Sequence, residues 1–468
     1  MTRSVRRLQP RTRLDAPRQT AYAALRAVDE TDAYLNLALA QLLSERDLAG
    51  RDAALATELA HGTARMQGSY DSFLESCVKG GVAALQPEVL TALRLGTHQL
   101  LNMRVPAHAA VGTSVELVRE AVGERPVRLV NAVLRRISAR AFDEWVEETA
   151  QPRDADLIGH LSIRHSHPRW VVDAYLDALG DVDPVEALLV ANNLAAEVAL
   201  VVRPGLMDVD TLCRQGAVLE HSVAGPVRRG RWSPYAAILE GGDPASLPAV
   251  RAGTAGVQDE GSQLAAWVAS RAAVEGGDTR WLDVCAGPGG KAALLTGLAR
   301  ERGAVLIAGE RRWHRAQLVA SALRAYAGSS PAVVADGTQP PWRSGSFDRV
   351  IADVPCSGLG ALRRRPESRW RRQPGDLTDL VPLQQGLLTA ALDSVRVGGV
   401  VTYVTCSPHL AETRGVVDAV SGARGDVQEL DARALLGDIP DLGPGPHAQL
   451  WPHLHGTDAM FIAQLRRR

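Results

Sequence analysis

The sequence predicts a multidomain protein with an all-α N-terminal domain, a small α/β linker domain and a C-terminal α/β domain, Rossmann-like, with a mostly parallel sheet. Three observations predict it. Residues 18–86 contain no proline, and Leu25, Val28, Leu35, Leu39 and Leu42 recur at helical spacing. From Trp281 onward, apolar runs of strand length alternate with helical patterns, and such alternation builds a parallel sheet with helices on both faces. Between these regions the stretch W-L-D-V-C-A-G-P-G-G-K, residues 281–291, runs from a strand through a glycine turn into a helix. A turn of that kind offers free backbone N–H groups at the positive end of a helix dipole, where glycine lets a ligand approach closely.

The totals bound the function classes. The chain has 468 residues, 46% hydrophobic and 22% charged, with a formal net charge of −1, as in an ordinary soluble protein of several domains. No apolar run reaches the length of a membrane span. The basic N-terminus lacks the apolar core and cleavage site of a secretory signal, so a cytoplasmic, membrane-free protein is expected. The five cysteines (Cys77, Cys213, Cys285, Cys356 and Cys406) form no C-x-x-C pair, which argues against zinc and a disulfide framework and suits a reducing compartment. Positive charge is almost all arginine. The only lysines are Lys79 and Lys291, the latter inside the glycine turn.

Taken in order, residues 1–17 form a basic arm with Arg3, Arg6, Arg7, Arg11 and Arg13. Residues 18–141 make the helical domain, with further helical patterns in Ala53–Met66, Tyr70–Val78, Pro87–Met103, Val111–Val122 and Pro126–Arg140. Residues 142–255 continue as helix and then change texture. Val198–Val202 reads as a strand, Asp208–Gln215 as a short helix and Val218–Val223 as another strand; Ile238–Gly242 and several prolines follow. His160, His165 and His167 invite a metal site, but no carboxylate or cysteine completes a ligand set, and Ser166-His167-Pro168 reads better as a helix start. Residues 256–468 hold the glycine turn and the remaining strands, Val305–Glu310, Ala332–Ala335, Arg349–Val354 and Val400–Thr405.

The glycine turn is not a P-loop. Cys285 stands where the first glycine of that motif would be, and Ala292 where Ser or Thr would follow the lysine. Nor is it the dinucleotide motif, whose last glycine is replaced by Ala292. Acids fall at the ends of successive strands: Asp283, Glu310, Asp336 and Asp353. Ligands bind at the carboxyl ends of such strands. An acid at Glu310 suits ribose hydroxyls and Asp336 suits an adenine edge, a pattern that fits NAD and S-adenosylmethionine alike. Two later loops discriminate. Asp353-Val354-Pro355-Cys356-Ser357-Gly358 and Thr405-Cys406-Ser407-Pro408 each put a thiol at that edge. Hydride transfer needs no thiols, so a nicotinamide oxidoreductase explains neither. Methylating carbon 5 of a pyrimidine does need them, because a thiolate must first add to carbon 6 and later be expelled.

The motifs D-V-C-A-G-P-G-G-K, D-V-P-C-S-G and T-C-S-P together resemble the RNA 5-methylcytosine methyltransferases of the Nol1/Nop2/Sun family, specifically its bacterial Sun-type members acting on 16S ribosomal RNA. In the first domain A-L-R-A-V-D-E-T-D-A-Y-L-N, L-R-L-G-T-H-Q-L-L and V-N-A-V-L-R-R-I resemble the NusB-like RNA-binding fold. The resemblance implies that Cys285, Ala286, Gly287, Pro288, Gly289, Gly290 and Lys291 contact S-adenosylmethionine, with Glu310, Asp336 and Asp353 completing the set. It implies that Cys406 attacks carbon 6, that Cys356 helps release product, and that Asp353 also lies near the target base. The family commonly has Asp where this chain has Glu310, and a Gly-Phe-Phe run where it has Ala459-Met460-Phe461. Arg363, Arg364, Arg365, Arg369, Arg371 and Arg372 surround Trp370 and are expected to grip RNA phosphates. The expected partner is 16S rRNA, naked or in an early small-subunit particle, bound by a monomer without metal. The rivals are the same chemistry on transfer RNA and a non-catalytic RNA-binding or antitermination factor, against which Lys291, Cys356 and Cys406 argue.

Overall fold

The computed structural model describes residues 14–31, 33–218, 225–326, 328 and 330–468. The arginines expected in the arm, Arg3 to Arg13, lie outside them. The described chain forms two compact units: one runs to Asp173 and takes in Arg364–Arg371, and the other comprises Ala174–Arg363 and Arg372–Arg468.

The first unit is helical because its apolar residues fall on one face of each helix. In Val127–Ile137 the buried residues are Val130, Val133, Leu134 and Ile137, while Arg128, Arg135 and Arg136 stay exposed. Each fully buried Leu or Ile of this kind stabilises the fold by about 1.5–3 kcal/mol. The helices Phe142–Thr149 and Leu157–His165, which the sequence assigns to the linker segment, pack in this unit. Phe73 meets Phe142 edge-on and stacks on Trp145, burying the end of the linker against the helical core. His167 is fully buried, its Nδ1 2.7 Å from the His165 carbonyl, and burial followed by the charge of Arg369 holds its pKa well below the usual value. Among the described residues no three His, Cys, Asp or Glu side chains gather to hold a metal.

The segment Arg364–Arg371 corrects an expectation. Its arginines were expected at RNA phosphates, yet two of them, Arg369 and Arg371, serve helix ends of this unit. Arg369 is fully buried and donates to the carbonyls of Arg65 (3.3 Å) and Ser166 (2.9 Å), at the C-termini of Gly50–Arg65 and Leu157–His165. Arg371 donates to the carbonyls of Val28 and Ala33, near the end of Ala16–Thr31. The Glu367 carboxylate accepts the Leu35 N–H, the first of Leu35–Glu45. Cations thus stand at C-termini and an anion at an N-terminus, each opposite the helix dipole it complements. Trp370 lies so close to Gly68 that a β-carbon there would fall 2.2 Å from the indole. Arg364 is half-buried and has a partner. Arg365 remains exposed, stacked 4.5 Å over the Tyr34 ring. In the second unit, Arg363 is buried and donates to the Gly456 carbonyl, and Arg372 pairs with Asp376.

The second unit contains two sheets. The smaller has β1 (Val198–Val202), β2 (Val227–Arg229), β3 (Ala236–Leu239) and β4 (Ala255–Val257), antiparallel in the order β2-β3-β1-β4. The strand expected over Val218–Val223 is not found at its start, since Val218 ends the helix Val209–Val218; residues 219–223 lie outside the described residues. Glu260, at the start of the helix Glu260–Arg271, ties that helix to the loop before β3 by accepting the N–H groups of Arg231, Trp232 and Ser233.

The larger sheet has β5 (Arg280–Asp283), β6 (Val305–Glu310), β7 (Ala332–Val334), β8 (Phe347–Asp353), β9 (Val395–Thr405), β10 (Val427–Leu430), β11 (Ala448–Gln449) and β12 (Phe461–Arg467). Its order is β10-β12-β9-β8-β5-β6-β7, with β11 on β12. From β9 to β7 all pairs are parallel, and β12 adds an antiparallel edge. These strands are near-continuous apolar runs because helices cover both faces; β8 is buried from Phe347 to Ala352. The chain runs outward from β5 to β6 and β7, then returns to β8 on the other side. The carboxyl end of β5 is therefore the switch point at which open α/β sheets bind ligands.

Replacing Arg369 with Met, which keeps most of the volume but strands the two buried carbonyls, should cost the helical unit about 2–3 kcal/mol. Hydrogen exchange should then show lost protection in Gly50–Arg65 and Leu157–His165. Unchanged protection there would show that the buried guanidinium caps nothing of consequence.

Candidate active site

The site is built from five loops at one edge of the large sheet, following β5, β6, β7, β8 and β9. The turn after β5 requires glycine at two positions. Gly289, the residue before the helix Gly290–Arg300, has φ +109°, and a β-carbon on it would lie 2.6 Å from Ala322 Cβ and 3.0 Å from Val319 Cα. A β-carbon on Gly287 would lie 2.1 Å from Glu310 Oε2. The end of β6 is thus drawn against the turn, and Arg315 seals it, donating to the Gly287 carbonyl at 2.7 Å and pairing with Glu310. Glu310 also accepts the Arg312 N–H at 2.9 Å.

The strand-end acids differ in environment. Asp336 is held below the usual carboxylate range by the side-chain and backbone hydrogen bonds of Thr338, and it pairs with Arg311 at 3.3 Å. Asp283 is fully buried; Oδ1 accepts the Cys285 N–H, while Oδ2 has no partner. Burial, reinforced by the charge of Asp353, pushes its pKa up to about 7. Lys291 reaches from the turn to Asp353 at the end of β8, Nζ to Oδ2 2.9 Å. Burial opposes its charge, but the charge and hydrogen bond of Asp353 outweigh burial and raise its pKa.

The loops after β8 and β9 bring two thiols together. β8 and β9 pair in parallel with Asp353 beside Val404. Cys356 and Cys406 follow, each partly exposed, with sulfurs 3.4 Å apart. Their proton preferences are opposite. Hydrogen bonding from Cys356 lowers the Cys406 pKa against its burial, with the Lys291 ammonium adding to the effect. The same hydrogen bond, then burial and the charges of Cys406 and Glu412, drive Cys356 well above an ordinary thiol. The two sulfurs are thus biased in opposite directions, Cys406 toward losing its proton and Cys356 toward keeping it. The remaining cysteine of the site, Cys285, is raised by burial and by Asp283, so it is no nucleophile. Gly360 fixes the end of the first loop: its N–H donates to the Cys406 carbonyl at 2.9 Å, and a β-carbon there would lie 2.3 Å from the Ala459 carbonyl oxygen.

The expected residues of the turn, with Glu310, Asp336, Asp353, Cys356 and Cys406, thus meet at one edge of the sheet. Asp283 was legible as a strand-end acid, but its buried, unpartnered oxygen was not. Glu412 was not foreseen at all; no motif marks it.

A strand-turn-helix corner at the switch point, with acids on the next strands, defines an α/β fold for an adenosine-type cofactor, and the paired thiols at the neighbouring strand ends favour methyl transfer over hydride transfer. Similarity to known proteins carries this further. Residues 272–466 match the family described as 16S rRNA methyltransferase RsmB/F, and residues 15–139 match the NusB family. A putative methyltransferase of Mycobacterium tuberculosis is 49% identical over 462 residues, spanning 98% of both chains. The ribosomal RNA small subunit methyltransferase B of Pseudomonas syringae is 31% identical, spanning 96% of both. The crystal structure of PH0851 shares the fold, with a TM-score of 0.80 at 20% identity over 97% of this chain and 100% of that one. The chain belongs to the RsmB/Sun family of RNA methyltransferases. Its cofactor is S-adenosylmethionine, and the residues present fit it: beside the glycine turn, the orphaned Asp283 Oδ2 is an acceptor for an ammonium group. No helix among the described residues is long and apolar enough to cross a membrane.

The Asp283 carboxyl must be ionised to pair with the cofactor's ammonium. With a pKa of about 7 it is mostly neutral at pH 6 and mostly charged at pH 7.5. Cofactor affinity measured by calorimetry should therefore rise roughly tenfold over that interval. Asp283→Asn should flatten the dependence; a slope that survives this change would place the titrating group elsewhere.

Proposed function

We propose that this protein methylates carbon 5 of a cytosine in 16S ribosomal RNA, in the cytoplasm and as a monomer, through a covalent adduct between Cys406 and carbon 6. The observation that carries the proposal is the 3.4 Å pair of thiols with opposite proton preferences, next to the cofactor turn. S-adenosylmethionine supplies the electrophilic methyl group.

Cys406 acts first. Its thiolate forms a bond to carbon 6, and the electron pair of the carbon 5–carbon 6 double bond moves into the ring, making carbon 5 nucleophilic. The Lys291–Asp353 pair stands between the turn and the thiols. Its groups are suited to hydrogen-bond the ring's polar edge as charge builds there. Once bound to carbon 6, the Cys406 sulfur carries no charge and no longer accepts the Cys356 proton as a thiolate does. The largest cause that holds Cys356 protonated is then gone. Cys356 releases its proton to water and, as thiolate, takes the proton from carbon 5. The freed pair restores the double bond, the carbon 6–sulfur bond breaks, and Cys406 leaves as thiolate. One proton is released overall, which balances the transfer of a methyl group from a sulfonium to carbon.

The target base must be unpaired or extruded to reach Cys406. The NusB-like helices support an RNA partner. Arg125, Arg128, Arg135 and Arg136 are exposed in that unit and, with Arg365, remain available to phosphates after the buried arginines of the 364–371 segment are set aside. The choice of 16S over transfer RNA rests on relatives named for the small ribosomal subunit.

Purified protein with methyl-labelled cofactor should label 16S RNA at 5-methylcytosine, located by bisulfite sequencing. Label on transfer RNA alone would replace the substrate, and label on no RNA would sink the enzyme assignment. Cys406→Ala should reduce turnover by at least about a thousandfold, as loss of a nucleophile does. Cys356→Ala should let a protein–RNA adduct accumulate, visible as a shifted band on a denaturing gel. Normal turnover by Cys356→Ala would remove it from the release step.

A further inference from the structure

The two cysteine loops come from different strands, yet their sulfurs are in contact. What holds them there is a buried side chain that no motif announces. Glu412 follows the Cys406 loop and is fully buried. Its carboxylate accepts from Ser357 N at 2.8 Å, from Gln384 Nε2 at 2.9 Å, and from the Ser357 hydroxyl. Among the described residues no cation pairs with it within salt-bridge distance. Three converging donors do the work a counter-ion would do.

The direction of each proton is set by the acceptor at the end of the chain. A carboxylate only accepts, so the Ser357 hydroxyl donates to Glu412. Ser357 Oγ can then only accept from Ser407 Oγ, 3.0 Å away, and Ser407 Oγ in turn accepts the His409 N–H. Ser357 is the neighbour of Cys356, and Ser407 the neighbour of Cys406. Gln384, which binds Glu412, donates its second proton to the Pro355 carbonyl on the other side of Cys356. The Glu412 carbonyl accepts the Tyr403 hydroxyl at 2.7 Å, so the residue is tied to β9 as well. Apart from the contact of the sulfurs themselves, the side-chain bonds that join the two loops converge on this one carboxylate.

We propose that Glu412 is the positioning residue of the thiol pair: through Ser357 and Ser407 it locks the two loops in one register, with Cys356 against Cys406. The inference rests on the thiol roles proposed above. Glu412 is fully buried, so it acts through the two loops and not on a substrate directly. Its charge is also one of the causes of the raised Cys356 pKa, in line with that placement. The other charged groups acting on Cys406 are Asp353, Lys291 and Asp458, all of which a change at 412 leaves in place.

Glu412→Gln is the discriminating variant, because it keeps the shape and reverses one hydrogen bond. The new amide would donate to Ser357 Oγ and turn the hydroxyl chain around. In the wild type, iodoacetamide at pH 8 should alkylate Cys406 at least about tenfold faster than Cys356, read by peptide mass spectrometry; in Glu412→Gln the ratio should fall below about threefold. Turnover should fall by about tenfold or more while KM for RNA and cofactor stays within about threefold. A residue that only stabilised the fold would lower the melting temperature and leave the alkylation ratio alone. Ser407→Ala cuts the link between the loops without disturbing the buried charge, and it should shift ratio and turnover in the same direction. A folded Glu412→Gln that keeps the wild-type ratio and turnover overturns the proposal. If Glu412→Gln does not fold, a Ser407→Ala protein with wild-type ratio and turnover overturns it equally. Alkylation needs no RNA, so a failure of Glu412 is separable from a failure of the wild type to methylate RNA.

Discussion

The parallel pairing of β8 with β9 is the constraint on which the site depends. It ends both strands at the same level, with Asp353 beside Val404, so that the loops leaving them must run side by side. Cys356 and Cys406 therefore meet although 50 residues separate them. β5 lies on the other side of β8, with Asp283 beside Ile351, so the glycine turn opens next to the same loops. One sheet order thus puts the glycine turn and the two thiols at neighbouring strand ends, with the Lys291–Asp353 pair joining the turn to the end of β8. A helical or antiparallel arrangement would scatter these residues, because only parallel strands deliver successive loops to one edge.

Within this sheet, the chemistry is a matter of where protons rest. Cys285, Cys356 and Cys406 lie in one site, yet only Cys406 is lowered toward thiolate. A thiol donor and an ammonium outweigh burial there, whereas at Cys285 burial and acids act together. The two working thiols differ through their contact with each other. In the proposed reaction the state of one sulfur is a signal to the other: when Cys406 is consumed in the adduct, Cys356 loses the largest cause that keeps it protonated, and Glu412 is proposed to fix the geometry of this exchange.

Much of this was legible in the sequence, and the boundary of legibility has a physical cause. The strands at Val198–Val202 and Val305–Glu310 and the corner at 281–291 stand out because their signals are local: apolar runs, glycines and terminal acids within a few residues. The cysteine loops were legible by motif. The arginines of 363–372 misled because charge in a sequence does not say whether it is solvated. Arg369 and Arg371 cap helix C-termini whose carbonyls lie some 200 to 340 positions away. The linker helices at 142–165 were assigned away from the helical unit because the stacking of Trp145 on Phe73 leaves no trace in spacing. Glu412 was invisible for the same reason: one acid in A-E-T-R becomes informative only when Ser357, Ser407 and Gln384 converge on it.

The central claim is that the two thiols have unequal jobs, with Cys406 forming the bond to the base. The most direct test is to trap the wild-type protein on 16S RNA carrying 5-fluorocytosine, digest the adduct, and locate the modified residue by mass spectrometry. The account predicts the nucleotide on the peptide containing Cys406, with Cys356 unmodified. A nucleotide attached to Cys356 would contradict it.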